Sequence, residues 1–184
     1  MAAHVQQANV DYDHGIYRLQ LDATVDLPIE QAWRSLLDYQ RIPLMNKTVN
    51  ALRQLPASPD GNTRLELSSK VCVPIYCAKV RQTQTMYIGV EQAQGDKPAA
   101  RALLALIDPA QSDFHAGHLR WRLESLSAES SRLYFSAELE PSVWLPPLVG
   151  PWMVKKRLVE LALDAANGLE RVAAERQQTN TALR

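Results

Sequence analysis

The chain is poor in the residues that several chemistries require. Its 184 residues include two cysteines, four histidines and seven glycines. Two cysteines allow one disulfide at most and exclude a disulfide-dense scaffold. No glycines are spaced as GxGxxG or as a phosphate-cradling loop, and none flanks a serine in a nucleophile elbow. Excess charge of either sign is also missing. Twenty basic side chains balance twenty acidic ones with no basic run, so nucleic acid is not an expected partner. No segment approaches the roughly 18 uninterrupted apolar residues of a membrane span. No charged-then-apolar leader follows Met1, so no signal peptide is expected in the chain as written. A leader already removed would leave the same sequence, and export stays open.

What remains is ordinary globular composition, 46% hydrophobic and 22% charged, enough for one domain with a real core. A single domain over 1–184 is expected, its core about 15–176, with polar ends at 1–13 and 177–184. The longest ordered pattern is C-terminal. After Gly150-Pro151, a good helix start, Val154, Leu158, Leu161, Ala165, Leu169 and Val172 recur at steps of three and four. That spacing predicts a helix over 151–175, on the order of 38 Å long, with one apolar stripe. Lys156, Glu160, Asp164, Asn167, Arg171 and Glu175 fall on the opposite side. Such a stripe must lie across a large apolar surface.

The rest of the chain supplies strands. Residues 15–26 alternate apolar and polar positions, and a short helix follows Leu27-Pro28, with Ile29, Ala32, Trp33, Leu36 and Leu37 on one face. Pro43 breaks any continuous helix over 39–46. Short strands with turn chemistry between them are then expected at 49–55, 64–73, 77–90, 100–107, 118–126 and 131–140. Their short connections make them antiparallel, with one apolar and one wet face. The expected fold class is α+β: a curved antiparallel sheet of about six or seven strands, wrapped around the long C-terminal helix, with a short helix pair after the first strand.

Three stretches, LPIEQAWRSLLDYQRIP (27–43), SDFHAGHLRWRLE (112–124) and PSVWLPPLVGPWMVKKRL (141–158), together with this element order, resemble the START-like helix-grip superfamily (SRPBCC). The resemblance covers roughly 17–174 and is nearest the polyketide cyclase/dehydrase and lipid-transport branch, close to coenzyme Q-binding START domains. It implies a deep apolar cavity between sheet and helix that holds a lipid-like or polycyclic ligand.

Candidate chemistry is sparse. His115 and His118, with Asp113, have a spacing that invites a metal reading, but a zinc site shows tighter ligand sets. No metal and no cofactor is expected. Carboxylates such as Glu66 and Glu124 fall at outward positions, so no catalytic set can be named. The expected cavity wall consists of Trp33, Met86, Trp121, Phe135, Leu158 and Leu161, and simple core packing is the plain alternative for Trp33 and Trp121. If Val80, Met86 and Ile88 point inward, alternation turns Gln82 and Gln84 inward too, where buried amides need hydrogen-bond partners. These two are the candidate orienting contacts, unless a bulge near Arg81 turns them out. Trp144, Leu148 and Trp152 could form an apolar lip at the cavity mouth that touches a membrane or a protein partner. Lys155, Lys156 and Arg157 lie at the helix start, where a solvated face or an acidic partner would account for them.

The two cysteines bracket Val73-Pro74-Ile75-Tyr76. Fully extended, their Cα atoms would lie roughly 17 Å apart; as the closing pair of a hairpin they would come within about 4.5–5.5 Å. Both fall on outward parity, Cys72 with Lys70 and Cys77 with Lys79, so a Cys72–Cys77 disulfide is expected. It would favour an oxidising, periplasmic or otherwise extracytoplasmic compartment; the alternative is two reduced thiols in a cytoplasmic protein. The leading expectation is a binding or transport protein for a hydrophobic small molecule such as a lipid, a quinone or a polyketide-like compound. Beside it stand a cyclase/dehydrase acting in the same cavity and an interaction module working through the 144–152 loop.

Overall fold

Alternation fixes which face of each strand is buried. In the second strand Tyr17, Leu19, Leu21, Ala23 and Val25 are buried while the residues between them are not, and Leu133, Phe135 and Ala137 repeat the pattern near the C-terminal end of the sheet. The computed structural model describes residues 3–73, 76–92, 99–142 and 151–182. Eight antiparallel strands form one sheet: β1 (His4–Asp13), β2 (Ile16–Val25), β3 (Val49–Leu55), β4 (Thr63–Val73), β5 (Tyr76–Glu91), β6 (Ala100–Ile107), β7 (Phe114–Ser125) and β8 (Ser131–Pro141). Their order is β1-β2-β8-β7-β6-β5-β4-β3. Between β2 and β3 come α1 (Ile29–Leu36), a 3-10 turn at Tyr39–Arg41 and the single-turn α2 (Ile42–Met45) with Pro43 in its first turn. This short helical run carries the chain from one side of the sheet to the opposite edge. The last element, α3 (Pro151–Ala182), would measure about 48 Å along its axis, and the sheet curves around it.

Two departures from the sequence reading lie at the ends. Residues 4–13 form edge strand β1 instead of a polar tail. It is exposed along most of its length, so it lacks the apolar alternation that marks β2. What holds it is the ladder to β2, closed by the His14-Gly15 turn with positive φ at both residues, the backbone that a two-residue hairpin requires. At the other end α3 continues past Glu175 to Ala182.

The polar side of α3 is used as well as its apolar stripe. Asn167 Oδ1 accepts from the Ala3 backbone N–H (2.8 Å), and Arg171 donates to Leu44 O (3.0 Å). Buried Glu170 accepts from Asp26 N–H (3.0 Å). The helix is therefore flanked by β1 on one side and by α1 and α2 on the other, and its charged residues serve as docking contacts. Among the described residues no helix is long and apolar enough to cross a membrane.

The β4–β5 hairpin follows the expected register. Val71 pairs with Ala78 and Cys72 with Cys77, and the ladder runs one pair further to Val73 and Tyr76. Cys72 and Cys77 form a disulfide, their Cα atoms 4.0 Å apart.

Candidate ligand cavity

Between the concave face and α3 lies a cavity of about 220 Å³. α3 contributes Leu158, Leu161, Ala162 and Ala165; α1, the 3-10 turn and α2 contribute Leu36, Tyr39, and Ile42 with Met45. The sheet supplies Leu67, Ser69 and Val71 from β4, Gln82, Gln84 and Met86 from β5, and Trp121 and Phe135 from the paired strands β7 and β8. Trp121 and Phe135 face each other across that pair with ring centroids 5.0 Å apart, an aromatic contact that stiffens the wall.

Seven of the eight expected cavity residues therefore meet here: Gln82, Gln84, Met86, Trp121, Phe135, Leu158 and Leu161. Trp33 does not. It is buried in the core under α1, with the Arg101 guanidinium 5.7 Å above its ring, and Arg101 pairs with Glu30. The i+3/i+4 spacing that puts Trp33 on α1's apolar face does not specify whether that face meets core or cavity. Trp152 is 66% exposed in the first turn of α3; Trp144 and Leu148 lie outside the described residues. Ile88 shares the parity of buried Met86 yet is 60% exposed, because β4 begins at Thr63 opposite Met86 and β5 runs on beyond it.

Few polar groups reach this space, and some of them hold one another. Gln82 Nε2 donates to Gln84 Oε1 at 2.6 Å, so the two amides two residues apart on one strand face hold each other. Thr48 Oγ1 and Thr48 N–H both donate to Asn46 Oδ1, at 2.7 and 3.0 Å. Tyr39 was not visible as a site residue in the sequence, because a 3-10 turn next to Pro43 has no periodicity to mark a face. Its hydroxyl is buried with no partner among the described residues, and burial pushes the phenol up to about 12, so near neutrality it is a proton donor and not a base. None of the described lining residues is Asp, Glu, Lys, Arg or His.

The convex face is the opposite case. An open concavity of about 810 Å³ there is crossed by a ladder of opposite charges. Arg132 holds Asp22 through two bonds (2.9 and 2.8 Å), Arg122 donates to Glu91 (2.7 Å) and pairs with Glu124, and Tyr134 lies between the guanidinium groups of Arg132 and Arg122. Burial would raise the Glu91 carboxyl, but hydrogen bonds and charge from Arg122 and Arg120 outweigh it and bring it below its ordinary value. Glu124 takes the expected outward parity but is buried beneath these neighbours. The ladder neutralises itself, and its exposed pairs add little stability. His115 and His118 are both exposed, and the Asp113 carboxylate accepts from Arg81 N–H at 2.6 Å.

A curved sheet gripping a long helix around an apolar cavity is the geometry expected above, and sequence comparison agrees. The profile of the polyketide cyclase / dehydrase and lipid transport family matches residues 25–166. The chain belongs to that family. No curated protein sequence matches it significantly. Solved structures of the same fold include a START superfamily protein from Mycobacterium smegmatis (20% identity, TM-score 0.62, covering 86% of this chain and 97% of that one). A STAR-related lipid transfer protein from Xanthomonas axonopodis has 15% identity and a TM-score of 0.63, covering 91% of this chain and 98% of the other. The Zhui aromatase/cyclase from Streptomyces sp. R1128 has 14% identity and a TM-score of 0.60, covering 88% and 95%. At these identities the likeness concerns the fold, which this family uses for both carriers and enzymes.

Proposed function

We propose that this chain binds a hydrophobic small molecule in the cavity between the sheet and α3 and acts as a carrier. The observation behind this reading is the wall itself: aliphatic and aromatic side chains with a few amides and hydroxyls, and no charged residue among those described. Such a site binds by removing apolar area from water and orients its guest through a small number of polar contacts. We assign the orienting contacts to Gln82 and Gln84, with Met86, Trp121, Phe135, Leu158 and Leu161 as apolar wall. The volume is below the roughly 300–1,000 Å³ of common ligand pockets, which suits a single ring system or one short chain.

The family equally contains cyclases, and a cyclase needs a proton acceptor at its substrate. Tyr39 is the one titratable side chain among the described lining residues, and its raised value keeps it protonated. That favours the carrier. Native mass spectrometry of protein from its own host should show one co-purified apolar molecule per chain. Bare chain mass, together with no uptake of apolar ring compounds added afterwards, would rule the carrier out.

The Cys72–Cys77 bond supports an oxidising compartment as the working location. It closes too short a loop to stabilise the chain as a long crosslink does, and its role is to pin the hairpin whose Val71 lines the cavity. Native-source protein alkylated without reductant should add no alkyl group to its intact mass. Addition of two would place the chain in a reducing compartment.

A further inference from the structure

Resting on the cavity reading, we propose that the Cys72–Cys77 bond is a redox clasp on the cavity wall. A dithiol reductant opens it by thiol–disulfide exchange, and opening it weakens the hold on the ligand. Three observations carry this.

The first is that the bond closes an arm with little other support. β3 covers β4 only as far as Ser69, with one further bond from Lys70 N–H to Thr48 O. On the other side β6 reaches β5 at Gln84, and Asp113 bonds the backbone of Arg81. Among the described residues, 71–73 and 76–78 therefore pair along their backbones only with one another. A two-stranded ribbon of this kind is marginally stable in water.

The second is charge. One outward pair below the disulfide, Lys70 faces Lys79 across the ladder, both exposed, and the pair below that is Ser68 with Arg81. Like charges at opposed positions work against the pairing. The covalent bond thus holds together what these two cations push apart, and the same cations favour the thiolates once it breaks. Cys77 is exposed, so the bond is open to attack. The Asp113 carboxylate at the foot of the arm is held by Arg81 N–H at 2.6 Å, four residues from Cys77. Exposed disulfides are the exchangeable ones, and cationic surroundings make their thiols better leaving groups.

The third is position. Val71, next to Cys72 and on the inward parity, lines the cavity beside Ser69 and pairs with Ala78. Freedom in the arm is freedom in the wall.

The exchange is balanced. A thiolate of the reductant attacks Cys77 Sγ, forming a mixed disulfide and expelling Cys72 as a thiolate beside Lys70. The reductant's second thiolate attacks its own sulfur in that mixed disulfide and expels Cys77. Two electrons pass to the cysteine pair, the reductant closes into a disulfide, and its two protons go to the freed thiolates or to water.

The test equilibrates the full chain at pH 7 in a glutathione buffer poised as in a cytosol, followed by alkylation and intact mass. The pair should be reduced, whereas structural disulfides resist that pool. In Lys70→Gln/Lys79→Gln the equilibrium constant for reduction should fall by about threefold or more. Calorimetric titration of 2-isopropylnaphthalene into both redox forms reads the wall. With the freed arm in place in about a third of molecules, the reduced form binds roughly threefold more weakly. Cys72→Ser/Cys77→Ser should match the reduced form with or without reductant. Circular dichroism should show the reduced chain folded, with a cooperative melt. A bond that stays closed in the glutathione buffer overturns the proposal, and so does global unfolding on reduction, which would make it a structural crosslink. Equal reduction of the lysine variant removes the lysines as the cause. Equal probe binding by both forms removes control of the cavity and leaves the cavity reading standing. If the probe binds neither form, the cavity reading fails and takes this proposal with it.

Discussion

Gly168→Val is expected to destabilise the protein by on the order of 3 kcal/mol, roughly 6–12 °C in melting temperature for a domain of this size. Gly168 is buried on α3 where α2 crosses it. A Cβ at this position would lie 2.4 Å from Met45 Cα, 2.9 Å from Met45 Cβ and 3.0 Å from Met45 O. The first and last of these are backbone atoms, which cannot rotate aside as a side chain can. Helix propensity alone argues the other way, since replacing a mid-helix glycine by alanine favours the helix by about 1 kcal/mol. The sign of Gly168→Ala therefore decides which effect wins, and contact predicts a loss. Gly89, with open space around its Cβ position and no positive φ, is the control: Gly89→Ala should change little. Ile42, Met45 and Tyr39 also line the cavity, so pushing α2 outward should weaken ligand binding along with stability. A Gly168→Ala protein that melts above the parent would show that α2 yields freely and that this seam does not set the cavity's shape.

That seam was not legible in the sequence. A glycine inside a helical pattern reads as a weak point, and only the approach of Met45 gives it a purpose. The strands from 16 to 140 were legible because one face is apolar and the other wet, a period-two signal that survives without any partner in view. The α3 stripe was legible for the same reason at period 3.6. β1 was not, because an edge strand with most of both faces exposed carries no alternation; its signal was the His14-Gly15 turn, which permits a two-residue hairpin with β2. The inward turn of Gln82 and Gln84 followed from parity, as did the Cys72–Cys77 pairing. Parity gives a face but not a neighbour. It placed Ile88 with Met86 although β4 begins opposite Met86 and never reaches Ile88, and it gave Glu124 an outward position without showing the charges that bury it. Trp33 and Tyr39 show the same limit from opposite sides. Trp33 had a clear face and its neighbours proved to be core, while Tyr39 had no periodic face and stands at the cavity.

Leu161→Asp is expected to show a stability loss that depends on pH, and this dependence directly tests the lack of charge among the described cavity residues. Leu161 lies on α3 among described lining residues that offer no cation. A carboxyl group there loses hydration and gains no counter-charge, so its folded-state pKa rises above the roughly 3.9 of an unfolded chain. Below that unfolded value the group is neutral in both states, and the penalty is only the lost leucine packing. As pH rises the unfolded chain ionises first, and stability falls by about 1.4 kcal/mol per pH unit until the folded-state pKa is passed. Beyond that point the loss levels off at several kcal/mol. Leu161→Asn, similar in size and without a titrating proton, should show an offset from the parent that does not change with pH. Urea unfolding of the three proteins between pH 4 and pH 8 measures the difference. A Leu161→Asp penalty that is flat across this range, or a melting temperature within a degree or two of the parent at pH 7, would mean that position 161 faces water and that α3 does not present this side to the sheet.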